Sequence, residues 1–204
     1  MFAVSKQVQA GGQELQDRAE FFWNDANLVL ILTDGAGGLS GGAKAAEFIV
    51  ENLKRHIGSA VTTSQVLCEM LASIDREMSA AGTFGEATCV VVVLSGSQII
   101  GGSVGDSGAL IFSKTGVENL TANQIRKPLL GSGLAIPVGF TRDQWNGILI
   151  VASDGLLKYT SREKIAATIL AVDFDNAAAK LIELVRYQSG ALPDDVSVLL
   201  ARKT

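Results

Sequence analysis

"ATCVVVVLSGSQIIGGSVGDSGALIFS", residues 87–113, is the stretch that decides the fold. Two β-rich runs, 87–95 and 98–105, meet across the short Ser95-Gly96-Ser97 turn, which predicts a hairpin. A third run, 108–113, follows after two more small residues. Links this short join strands antiparallel, because a parallel crossover needs a dozen or more residues.

Working outward, "NLVLILT" (27–33) reads as a buried strand, with strands also at 2–10 and 19–22. Between 43 and 57, Ala45, Ile49, Leu53 and Ile57 recur every four residues and predict a helix, with Ser40 as N-cap and Gly58 as stop. A second helix is predicted over 63–80 from Leu67, Met70, Leu71, Ile74 and Met78. Residues 114–147, with Pro128, Pro137 and several glycines, read as a loop-rich insertion. A strand at 147–153, helices at 161–170 and 175–188, and a last strand at 196–202 complete the chain. Each helix pair must cover a sheet face. The expected class is α+β, a four-layer α/β/β/α sandwich of two antiparallel sheets flanked by helix pairs, in one domain spanning 1–204.

The chain has 204 residues, 48% of them hydrophobic and 19% charged, so a packed core is favoured over disorder. Net charge is −4, and no Lys/Arg cluster marks a nucleic-acid track. No apolar run reaches the roughly 18–20 residues of a membrane helix. "MFAVSKQVQAGG" lacks the pattern of a signal peptide, so a cytoplasmic location is expected. Cys68 and Cys89 sit in apolar surroundings without C-x-x-C spacing and read as buried reduced thiols.

Four aspartates share a position. Asp34, Asp106 and Asp154 each follow a predicted strand, and Asp194 precedes one. The first three have glycine beside them, which lets backbone approach closely; Gly35, Gly37, Gly38, Gly41 and Gly42 crowd around Asp34 in particular. Aspartates beside glycine are ordinary turn formers one at a time. Four at corresponding strand ends repel one another unless a cation lies between them. Mg²⁺ or Mn²⁺ suits an all-oxygen set, and two such ions can activate water and clamp a phosphoryl group.

"TDGAGG", "GSVGDSGALI", "ASDGL" and "PDDVSVLL", in this order, resemble the metal-dependent Ser/Thr protein phosphatases, the PPM or type 2C family. The resemblance runs from about residue 3 to 201. It implies that Asp34 bridges two metal ions, that the Gly35 carbonyl binds one of them, and that Asp154 and Asp194 complete the site. Asp106 matches the position that, with Asp154, holds a third ion in bacterial members. "LQDRAEFF" resembles the family's first motif, with Asp17 acting through metal-bound water and Gln16 in the middle position. The implied activity is hydrolysis of phosphoserine and phosphothreonine in proteins by direct attack of a metal-bound hydroxide. The implied partners are phosphoproteins and a cognate Ser/Thr kinase or its targets, with no nucleic acid or membrane.

The chain departs from the family at three points. Gly12 stands near the position of a phosphate-binding arginine, Gly108 replaces the arginine of "GDSR", and Ala36 stands where some relatives carry histidine. Arg18, Arg126 and Arg142 are possible sources of a phosphate contact. The lone histidine, His56, reads as a solvated or capping residue. Two rivals remain. "GAGGLS" approaches a dinucleotide-binding turn, but Ser40 takes the place of the third glycine. A catalytically weak binding or regulatory module on the same fold is the other. No Cys-x₅-Arg loop supports a thiol-phosphate route.

Overall fold

The computed structural model describes residues 1–36, 41–58 and 63–204. One five-stranded sheet has the order β1 (Phe2–Gln9), β12 (Val196–Lys203), β11 (Ile148–Ala152), β8 (Gly108–Ser113), β9 (Gly116–Asn119). The other runs β10 (Val138–Arg142), β7 (Gln98–Val104), β6 (Cys89–Ser95), β3 (Asn27–Thr33), β2 (Arg18–Asn24). Every neighbouring pair is antiparallel, including the β6–β7 hairpin, whose register runs from Cys89 opposite Val104 to Ser95 opposite Gln98. A two-residue ladder joins β4 (Gly35–Ala36) to β5 (Glu86–Ala87).

The continuous apolar runs are explained by burial on both faces. Val91 and Val93 point into a core shared with helices α1 (Gly42–His56) and α2 (Ser64–Ala81). Val90, Val92 and Leu94 point the other way, against Ile111, Leu149, Val151 and Leu199 of the facing sheet. The outer side of that sheet packs on α4 (Arg162–Ala171) and α5 (Phe174–Glu183) through Ile165, Ala177, Leu181 and Ile182. The result is the expected α/β/β/α stack.

Four elements differ from expectation. The segment read as a loop-rich insertion contains β9 and β10. β10 is an edge strand with little apolar patterning; Phe140 lies opposite Gly101, where any Cβ would collide with its ring. The glycine thus makes room for the aromatic that anchors an otherwise illegible strand. A one-turn helix, α3 (Asp154–Leu157), follows β11 directly. Helix α5 ends at Glu183 rather than near 188. Its apolar pattern continues to Val185, but Leu184, Val185 and Arg186 bond three residues back, so the backbone tightens out of the α-helix.

The residue before α1 is Gly41, in the left-handed region at φ 114°, and the helix closes at Ile57, just before the expected stop. The Ser40 cap expected from sequence, with Gly37 and Gly38, lies outside the described residues. Cys68 and Cys89 are free thiols, and burial pushes the Cys89 thiol well above its ordinary range.

Candidate metal centre

The strand ends converge. Asp34, Asp106, Asp154 and Asp194 all line one cleft of about 1000 Å³ at the end of the sandwich. They come from both layers rather than from one sheet edge. Asp34 leaves β3, Asp154 and Asp194 flank β11 and β12 of the facing sheet, and Asp106 sits where the chain crosses from β7 to β8.

The chain that carries these aspartates is tied down by its neighbours. The Asp34 N–H donates to Thr88 Oγ1 at 3.2 Å, and the Thr88 N–H donates to the Asp34 carbonyl at 2.8 Å. The Thr88 hydroxyl shares a 2.7 Å bond with Ser107, next to Asp106. Gly35 is buried so closely against the start of α1 that a Cβ would collide with the Gly42 backbone. Beside Asp194, the Asp195 carboxylate accepts from the Gly11 N–H at 2.8 Å and the Gln16 N–H at 2.6 Å, pinning the 11–16 turn to the rim. Asp17 is not on the cleft wall; it is 1% exposed, behind Asp34. Its Oδ2 accepts from Ser197 Oγ at 2.7 Å, while Oδ1 is buried with no hydrogen-bond partner among the described residues.

The electrostatics are those of a site with more anionic than cationic side chains. Burial, then the charges of Asp17, Asp154 and Asp194, pushes the Asp34 carboxyl up to about 9. Burial also raises Asp17, against the hydrogen bond from Ser197. Asp194 is raised by partial burial and by Asp154 and Asp195. Two carboxylates already have side-chain cations: Lys158 Nζ is 2.8 Å from Asp154 Oδ2, and Arg126 is 3.4 Å from Asp106 Oδ2.

The residues fit a hard divalent ion. The donors are all oxygen, the charge is in excess, and a buried carboxylate oxygen lacks a partner. Among the described residues no three carboxylates form a ready-made cage.

Of the three candidate arginines only Arg126 lines the cleft. Arg18 bonds the Leu15 and Asp17 carbonyls, and Arg142 pairs with Glu118 on a separate cavity. His56 is outside the cleft and lies 2.9 Å from the Asn52 carbonyl, a helix-end contact. Gly12, Gln16 and Ala36 are on the cleft wall. Sequence reasoning missed Lys158, Asp195, Thr88 and Ser197. Of these, Asp195 stands inside the motif "PDDVSVLL", and Lys158 lies one helical turn after Asp154, a spacing common to solvated helix pairs.

The profile of the protein phosphatase 2C family matches residues 6–127, more than half of the chain. The chain belongs to the protein phosphatase 2C family. Solved structures share the fold over nearly the whole length. The S. agalactiae serine/threonine phosphatase superposes with a TM-score of 0.88 at 22% identity, covering 100% of both chains. Stp1 from Staphylococcus aureus gives 0.85 at 20% identity, covering 100% of this chain and 96% of that one. The catalytic domain of the serine/threonine phosphatase PstP, solved in complex with two manganese ions, gives 0.84 at 18% identity over 98% and 97%. At these identities the likeness concerns the fold. No curated protein matches by sequence.

Proposed function

We propose that this chain is a single phosphatase domain over residues 1–204 that hydrolyses phosphoserine and phosphothreonine in proteins, using Mg²⁺ or Mn²⁺. The observation that carries the reading is the convergence of Asp34, Asp106, Asp154 and Asp194 on one cleft with the pinned Asp17 behind it. Family membership and the two manganese ions held by PstP support the same chemistry.

In this reading Asp34, the Gly35 carbonyl, Asp154 and Asp194 would hold two ions, and Asp106 with Asp154 would offer a third position. When bound, such ions would supply an acidified water and charge compensation at the phosphoryl oxygens. Asp17 holds its orientation through Ser197 and aligns a water with its free Oδ1. The nucleophile is water, not a side chain: neither cysteine lines the cleft, and the Thr88 hydroxyl is taken by the Asp34 N–H and Ser107. One P–O bond forms to the water oxygen and one breaks to the serine or threonine oxygen, releasing inorganic phosphate and the alcohol. Partners would be phosphoproteins and the kinase that makes them. No helix among the described residues is long and apolar enough to cross a membrane, and a cytoplasmic location is part of the proposal.

The test is Mn²⁺-dependent release of p-nitrophenol from p-nitrophenyl phosphate and of phosphate from a phosphothreonine peptide. Hydrolysis by the wild type and its loss in Asp34→Asn support the reading. Mn²⁺ binding without hydrolysis of either substrate would leave the weak-module alternative, which the uncharged Gly12 position favours.

A further inference from the structure

Resting on the reading above, we propose that the Lys158 ammonium is the group that grips the substrate phosphate in this cleft. A phosphate site needs a cation, and Gly12, on the cleft wall, offers none. Three cationic side chains among the described residues line the cleft: Arg126, Lys127 and Lys158. Lys158 is the one inside the carboxylate group. Its Nζ is 2.8 Å from Asp154 Oδ2, and it also feels the charge of Asp106 and acts on that of Asp194. Arg126 sits farther out, 71% exposed and 3.4 Å from Asp106.

The geometry follows from the turn after β11. Asp154 opens α3, and a residue four positions on lies above it on the same face. The Lys158 side chain is 54% exposed, so its pair with Asp154 is weak and exchanges readily. When a divalent ion takes the charge of Asp154, the ammonium loses its partner. A phosphate dianion docked at the ions is then the nearest anion within the swing of the four-carbon stem. A lysine serves phosphate as a mobile point charge and needs no fixed fork geometry. Lys158 thus holds the cleft's excess charge in the metal-free protein and turns to the substrate once the ions are in place.

The experiment compares wild type, Lys158→Met, Lys158→Arg and Arg126→Met, all saturated with Mn²⁺. Calorimetry measures Mn²⁺ affinity and then inorganic phosphate affinity, and kinetics measure KM and kcat for p-nitrophenyl phosphate. Lys158→Met should weaken phosphate binding and raise KM by about tenfold, with kcat changed less and Mn²⁺ affinity equal or tighter. Lys158→Arg should recover most of the loss, and Arg126→Met should change phosphate affinity by less than about twofold. The inference is overturned if Lys158→Met binds phosphate like wild type, if its effect follows weaker Mn²⁺ binding, if Arg126→Met carries the loss, or if the Mn²⁺-loaded wild type binds no phosphate. Phosphate binding is read without turnover, so a chain that binds Mn²⁺ but hydrolyses nothing defeats the proposed activity while still testing Lys158.

Discussion

At Asp34 burial and three neighbouring carboxylates act in the same direction, so its ionised form is the least comfortable charge in the cleft. Asp34→Asn removes a carboxyl that the folded, metal-free protein can keep only by holding its proton. It should abolish Mn²⁺-dependent hydrolysis and raise the melting temperature of the metal-free protein by about 2–5 °C, as followed by scanning calorimetry with a chelator. Wild-type turnover in this variant would remove Asp34 from the site. Gly11 and Gly12 make a sharper pair. A Cβ on Gly12 meets nothing within 4 Å, whereas one on Gly11 collides with the Asp194 backbone. Gly12→Arg should therefore fold, lower KM for p-nitrophenyl phosphate by about tenfold by adding a bidentate donor, and partly rescue Lys158→Met. Gly11→Arg should fail to fold stably, seen as a lower Tm. Asp34, Asp106, Asp154 and Asp194 were legible because each sits at the end of an apolar run, the first three beside a glycine and Asp194 just before the last strand. Lys158 was not, because an exposed lysine one turn from an aspartate has the same spacing as any solvated helix pair.

Among the elements, α2 shows how much a correct assignment leaves unsaid. Its apolar face was readable, but Asp75 on that face was not explained. It is 2% exposed and accepts from the backbone N–H groups of Gly131 at 2.7 Å, Gly133 at 3.0 Å and Ala135 at 2.9 Å. One carboxylate therefore fastens the 131–135 segment, and the approach to β10, onto the helix. Asp75→Ala leaves those donors without a partner and should cost about 3 kcal/mol in urea unfolding, while Asp75→Asn, keeping one acceptor, should cost less. An unchanged midpoint in Asp75→Ala would mean the loop is held by something else. The hairpin β6–β7 and the buried strands were plain in the sequence because their apolar runs are long and dense. β9 and β10 were hidden because edge strands need few apolar residues, and α3 because four residues carry no period. Tertiary pairing, which sequence spacing does not display, made these elements.

For the whole molecule, pH and metal should act as opposing loads. The folded Asp34 carboxyl is raised from 3.8 to about 9, so across that interval the folded state holds a proton that the unfolded chain releases. Stability from this group is complete below the unfolded value and is lost as pH rises toward 9. Burial-raised Asp17 adds in the same direction. The Tm of the metal-free protein should fall steadily from pH 5 to 9, and Mn²⁺ should reverse the trend, because ions compete better once the protons have left. A chelated protein whose Tm climbs over that interval would contradict the carboxylate electrostatics. The division of the ligands between the layers has one more effect. Asp34 hangs from one sheet and Asp154 and Asp194 from the other, across the core of Leu30, Val92, Val151 and Leu199. An ion shared by them would act as a removable staple through the seam, opposing separation of the two slabs until it is drawn. The lifetime of the native chain, measured by how long it resists a protease, should then be governed by the off-rate of the ion as much as by temperature.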